Sequence, residues 1–274
     1  IPEVIEPSNI EMLYEKAMTN FHELEEILRG RCGSDNASML SMKDLMGIGI
    51  KNCYKEIVQR HSMRFEMPYK MDDDDFSIII QTSGIMDVVK EILGDDCTII
   101  NKSLVLSAPG AVDQAWHSDG PHVSATENLP CHCLNVFLPL VDVTNITGPT
   151  QFRPGSVNMT RNLKIEMLKA MVKKTLRPIE GPTFKRGSVL LFDYRILHRG
   201  TANKSDVVRP VLVYTFAKPF YRDTLNFPRN SVFDPLKEQE QDQDQEQDQD
   251  QEREQEQEKM EHVYGNAEQI NKDN

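Results

Sequence analysis

A mainly β fold with flanking helices, a double-sheet jelly roll, is predicted by three features of this sequence. Six short β-branched or apolar runs, punctuated by Pro and Gly, follow one another from residue 97 to residue 217. Two stretches of helical period precede them, which puts a helical layer against a sheet. With 274 residues, 39% of them hydrophobic, the chain has enough apolar surface for about one domain with extensions.

In order, Ser8 to Arg29 repeats apolar residues at Ile10, Leu13, Tyr14, Ala17, Phe21, Leu24 and Leu28, a helical face with Ser8 or Asn9 placed to cap it. A Gly/Ser/Asn-containing break leads to a second stretch, Met42 to Met63, with a helical face at Leu45, Ile48, Ile50, Tyr54, Ile57 and Val58 despite Gly47 and Gly49. Asp72 to Asp75 lacks the alternation and glycine of a calcium loop and reads as a solvated turn. Asp87 to Leu93 is a short helix closed by Gly94, and strands follow at about 97–106, 131–141, 149–153, 178–184, 188–194 and 207–217, with a helix over 162–176. The expected organisation is a helical flank over 1–84, a β core over 85–236 and an acidic tail over 237–274. From Glu238 to Glu258 nearly every residue is Gln, Asp or Glu, a composition that cannot bury enough surface to order itself.

Charge is unevenly divided. Of the formal −12, −10 falls in residues 237–274, so the body is close to neutral. It lacks the basic excess of a general nucleic-acid binder, and no nucleic-acid partner is expected. The partner of the acidic tail is unknown from sequence. No apolar run reaches the ~20 residues that span a bilayer, and no charged-then-apolar leader opens the chain at Ile1. Five cysteines, Cys32, Cys53, Cys97, Cys131 and Cys133, suit thiols in a reducing compartment, so a cytoplasmic protein is expected.

Gln114-Ala115-Trp116-His117-Ser118-Asp119-Gly120 carries the chemistry, together with His198 about eighty residues later and Arg209 eleven residues after that. In an extended strand i and i+2 share a face, so His117 and Asp119 project into one cavity. Two neutral imidazoles and one carboxylate form the set that holds Fe(II) on one face with positions left open. Arg209 precedes the alternating run of the last strand, and its planar fork matches a carboxylate. Cys131-His132-Cys133 lacks the second ligand pair of a thiolate zinc site. His122 is a further candidate, to face a substrate or to replace His117. Trp116, opposite His117, reads as core, and Asp193 and Tyr194 as partners of the distal histidine or as strand packing.

Trp116-His117-Ser118-Asp119-Gly120, the run Leu134 to Ser156, Gly187 to Thr201 with Leu197-His198-Arg199-Gly200, and Arg209-Pro210 together resemble the phytanoyl-CoA dioxygenase family of Fe(II)/2-oxoglutarate oxygenases. The resemblance covers roughly 85–222. It implies a double-stranded β-helix, cupin-like in form, that hydroxylates a small or lipid-like molecule using Fe(II), 2-oxoglutarate and O2, with decarboxylation to succinate. It further implies that His117, Asp119 and His198 bind the metal, that Arg209 grips the distal carboxylate, and that Gln114 and Thr150 reach the cosubstrate. Some members carry serine two residues after the distal histidine, where this chain has Gly200. Retention of Asp119 favours hydroxylation over halogenation. Two rivals stand beside this reading: a non-catalytic member of the same fold, and a cupin-type metalloenzyme that does not use 2-oxoglutarate.

Overall fold

The computed structural model describes residues 1–31, 41, 58–69, 84–223 and 226. The acidic run at 72–75, most of the stretch 42–63 and the whole of the acidic tail lie outside the described residues.

Helix α1 spans Pro7–Arg31 and buries Ile10, Leu13, Ala17, Phe21, Leu24 and Leu28, the face that its period predicts. It begins one residue earlier than expected. Pro7 takes the first turn, where its missing N–H costs nothing, and Glu6 accepts backbone bonds from Asn9 and Ile10, so Ser8 and Asn9 lie inside the helix rather than capping it. Helix α2, Ile85–Leu93, ends at Gly94, whose φ of 99° suits glycine and whose N–H donates to Lys90 O.

Among the described residues, eight strands make two sheets. The larger is antiparallel, in the order β1 (Val58–His61), β2 (Arg64–Pro68), β3 (Thr98–Ser107), β8 (Arg209–Ala217), β4 (Cys133–Pro139), β6 (Leu190–Asp193). The smaller pairs β5 (Thr150–Phe152) with β7 (His198–Gly200), and single bridges add His117 beside His198 and Glu180 beside Phe152. The two layers are those of a jelly roll. Helix α3, Leu163–Val172, follows two short 3-10 turns and is shorter than the expected 162–176.

Two expectations are corrected. Residues 58–63, the described end of the expected second helix, are a strand and a turn, because Arg64-Phe65-Glu66-Met67 alternates with period two and pairs with β3. The strand expected at 178–184 is reduced to bridges at Glu180 and Phe184, since Pro178 and Pro182 supply no N–H to a ladder.

Alternation gives the large sheet two different faces. Phe65, Met67, Leu104, Leu106, Leu134, Val136, Leu138, Leu212, Tyr214 and Phe216 form one hydrophobic cluster with α1 and α2. Their neighbours Arg64, Glu66, Ser103, Ser107, Asn135, Arg209 and Thr215 belong to the other face. Leu13, fully buried in that cluster, is expected to destabilise the fold by about 2–5 kcal/mol when changed to Ala, read by denaturant unfolding.

Candidate functional site

A cavity of about 330 Å³ lies on the polar face of the large sheet, under the small one. His117 and His198 are brought together by the backbone: each N–H donates to the other's carbonyl, at 3.0 and 2.9 Å. Both rings then make the same local bond. Nδ1 of His117 lies 2.9 Å from Ala115 O and Nδ1 of His198 lies 3.0 Å from Ile196 O. A carbonyl only accepts, so Nδ1 carries the proton in each ring and Nε2 is left with its lone pair. Those lone pairs face Asp119, at 3.6 Å from His117 Nε2 to Oδ1 and 3.5 Å from His198 Nε2 to Oδ2.

Three acceptors therefore converge, with one atom from each residue within 4.8 Å of the others and no proton to share among them. The arrangement calls for a cation, and two fixed imidazoles with one carboxylate form a set that suits a divalent transition metal. Asn135 Nδ2 donates to Asp119 Oδ2 at 2.6 Å, and Thr215 Oγ1 donates to Asn135 Oδ1 at 2.8 Å, which orients the carboxylate from the sheet beneath. Burial, then the neighbouring His198, pushes the pKa of His117 down, so the ring is held neutral and ready to ligate.

The second feature is a pair of buried arginines. Register sets Arg64 opposite Ser107 and Ser107 opposite Arg209, a row across β2, β3 and β8. Ser107 Oγ accepts from Arg64 Nε at 3.0 Å and from Arg209 Nη2 at 2.9 Å. Arg64 also donates to Gln114 Oε1 and to Thr201 O. No carboxylate is hydrogen-bonded to either guanidinium among the described residues, and Arg209 Nε is buried with no partner. Burial first, then the Arg64 charge, lowers Arg209 to about 9, and burial lowers Arg64 to about 10, so both remain cationic at neutral pH. Two buried like charges of this kind need an anion.

Gly200 makes the pair possible. A Cβ there would overlap the Arg64 guanidinium, so a serine at this position and Arg64 in its present place exclude each other. Gln114 Oε1 accepts from both Arg64 and the Gly200 N–H, and Thr150, paired with Gly200, lines the same cavity.

All six sequence-predicted site residues, His117, Asp119, His198, Arg209, Gln114 and Thr150, thus line one cavity. Others do not join it. His122 is tied instead to Thr160 and Arg161, so it is not a substitute for His117. Asp193 pairs with Arg195, whereas Tyr194 lines the cavity, accepts the Asp119 N–H and donates its hydroxyl to Asp223. Trp116 is half-buried between the guanidinium groups of Arg153 and Arg199, 5.6 and 5.0 Å from its ring, rather than in the core. Burial pushes the Cys131 thiol up to about 12 and raises that of Cys133 too, which leaves both as poor metal ligands. Arg64 and Asn135 escaped sequence reasoning. The polar-apolar alternation around Arg64 was the available signal.

The metal-free protein is expected to lose stability as pH falls below about 6.5. There the unfolded chain's histidine takes up a proton that folded His117 resists, so the unfolded state binds more protons and stability rises with pH. A His117→Asn variant flattens that part of the profile in pH-dependent thermal unfolding.

Comparison with known proteins agrees with this geometry. The sequence pattern of the family described as phytanoyl-CoA dioxygenase (PhyH) matches residues 56–211, more than half of the chain. Dioxygenase af480 of Aspergillus fumigatus is 29% identical over 143 residues, 52% of this chain and 44% of that protein. Ectoine dioxygenase of Halomonas elongata is 27% identical over 152 residues, 47% of this chain and 46% of that protein. The chain therefore matches somewhat less than half the length of these curated relatives. The crystal structure of HygX from Streptomyces hygroscopicus with nickel and 2-oxoglutarate bound superposes with a TM-score of 0.53 at 12% identity, over 85% of this chain and 90% of HygX, a likeness of fold. With the jelly-roll layers, the His-Asp-His cluster and the family match in agreement, the chain belongs to the phytanoyl-CoA dioxygenase family.

Proposed function

We propose that this protein is an Fe(II)/2-oxoglutarate-dependent dioxygenase that hydroxylates a small organic molecule. The observation that carries the reading is the pair of buried arginines without a carboxylate partner, in the same cavity as the His-Asp-His cluster. A metal site alone fits many reactions. A metal site with a cationic socket beside it fits a cosubstrate that chelates the metal at one end and ends in a carboxylate at the other.

In this reading His117, Asp119 and His198 hold the metal on one face. Arg209, its Nε still lacking a partner, takes the far carboxylate of 2-oxoglutarate, and Arg64 adds a second positive charge to the same socket. Gln114 is a positioning residue, since its amide oxygen is spent on Arg64 and the Gly200 N–H, and Thr150 contributes a hydroxyl to the cavity wall. Asn135 holds the Asp119 carboxylate in orientation by donating to its Oδ2, while each carboxylate oxygen faces one of the two histidines. When bound, Fe(II) and 2-oxoglutarate supply O2 activation, with the cosubstrate decarboxylated to succinate as a substrate C–H bond is hydroxylated. The arginine socket favours this reading over a cupin-type metalloenzyme, which has no 2-oxo acid to hold.

Protein loaded anaerobically with Fe(II) is expected to form succinate from 2-oxoglutarate on exposure to O2, even without substrate. His117→Ala abolishes this. Arg209→Ala is rescued only at high 2-oxoglutarate, its apparent affinity down by roughly 30-fold or more, the loss of about 2–5 kcal/mol expected when one partner of a buried charge pair is removed. Wild-type protein that forms no succinate, and whose bound metal shows no spectral change with 2-oxoglutarate, would exclude the assignment. Gly200→Ser separates the roles within the socket: it displaces Arg64 and weakens 2-oxoglutarate binding while leaving metal affinity unchanged, as read by calorimetry.

A further inference from the structure

The cavity has another wall whose residues the proposed reaction does not use. Arg60 and His61 on β1 and Glu66 on β2 line it, with Asn101 on β3 beside them. Glu66 is fully engaged. One carboxylate oxygen accepts from Arg60 Nε, and the other accepts from Asn101 Nδ2 at 3.2 Å and Ser103 Oγ at 2.5 Å. These bonds fix Arg60 by its inner edge, and its two terminal nitrogens have no hydrogen-bond partner among the described residues. His61 Nδ1 is shielded from water and likewise unpartnered.

The wall thus offers the two terminal nitrogens of Arg60 as held, unspent donors, while its one carboxylate is consumed. Charge points the same way. The described residues lining the cavity include Arg60, Arg64 and Arg209 against Glu66 and Asp119, a net of one positive charge apart from the histidines. A divalent metal and doubly charged 2-oxoglutarate cancel each other, so that single positive charge remains for the substrate.

We infer that the substrate is a small organic acid, its carboxylate bound to the outer edge of the Arg60 guanidinium, so that Arg60 is the residue that sets substrate specificity. A planar carboxylate matches two parallel N–H groups of one guanidinium, a match a lysine does not reproduce. Glu66 is the positioning residue, acting through Arg60. The inference rests on the oxygenase reading, and it favours a free acid over an uncharged lipid-like molecule.

Benzoate and its uncharged counterpart benzamide test it, titrated by calorimetry into protein loaded with Zn(II) and saturated with 2-oxoglutarate. Benzoate is expected to bind wild type at least tenfold more tightly than benzamide. Arg60→Ala removes that preference, Arg60→Lys restores it only in part, and 2-oxoglutarate affinity in both variants stays within twofold of wild type. Benzoate that does not bind, or that binds wild type and Arg60→Ala equally while 2-oxoglutarate binds normally, overturns the inference and leaves the oxygenase reading standing. Failure of 2-oxoglutarate to bind the metal-loaded wild type removes both together.

Discussion

Side chains alternate along β2, β4 and β8, so each of these strands, in burying residues in the core cluster, turns their neighbours toward the cavity. Phe65 and Met67 go to the core, and Arg64 and Glu66 therefore face the site. Leu212, Tyr214 and Phe216 go to the core, and Arg209 and Thr215 follow the same rule on β8. A slip of one residue on either strand would drive a guanidinium into the hydrophobic cluster. The apolar packing on one face thus fixes the polar geometry on the other, and α1 has a part in the site without touching it.

The site is held open by charges that are not balanced from within. Three acceptors meet at the His-Asp-His cluster with no proton between them, and two guanidinium groups share one serine oxygen. Each group is costly alone. Both line one cavity, the acceptors suited to a cation and the guanidinium groups to an anion. The backbone carbonyls of Ala115 and Ile196 fix both imidazole tautomers before any metal arrives, so little reorganisation is left for binding.

Much of this was legible in the residues. The spacing of His117 and Asp119 states a shared face directly, and the seven apolar positions of α1 state a helix. What failed did so for physical reasons. Arg64 was hidden because the helical period of the preceding residues runs up to Val58, and nothing local marks where the period changes from 3.6 to 2. Trp116 was placed in the core because it lies opposite His117, but the outer side of the small sheet is surface here, and arginines cover the indole instead. Gly200 looked like a lost contact when compared with a serine. Only the fold reveals that Arg64, distant in sequence, occupies the space that the missing side chain leaves.

His117 and His198 exchange two backbone hydrogen bonds although about eighty residues separate them. A metal ion held by both is accordingly a cross-link as well as a reagent. The unfolded chain has no such preformed site, so the metal's binding free energy adds to the stability of the fold. The jelly roll pairs segments distant along the chain, and the two histidines are neighbours only where that pairing is in place. A metal held there fastens together the two segments that the topology joins.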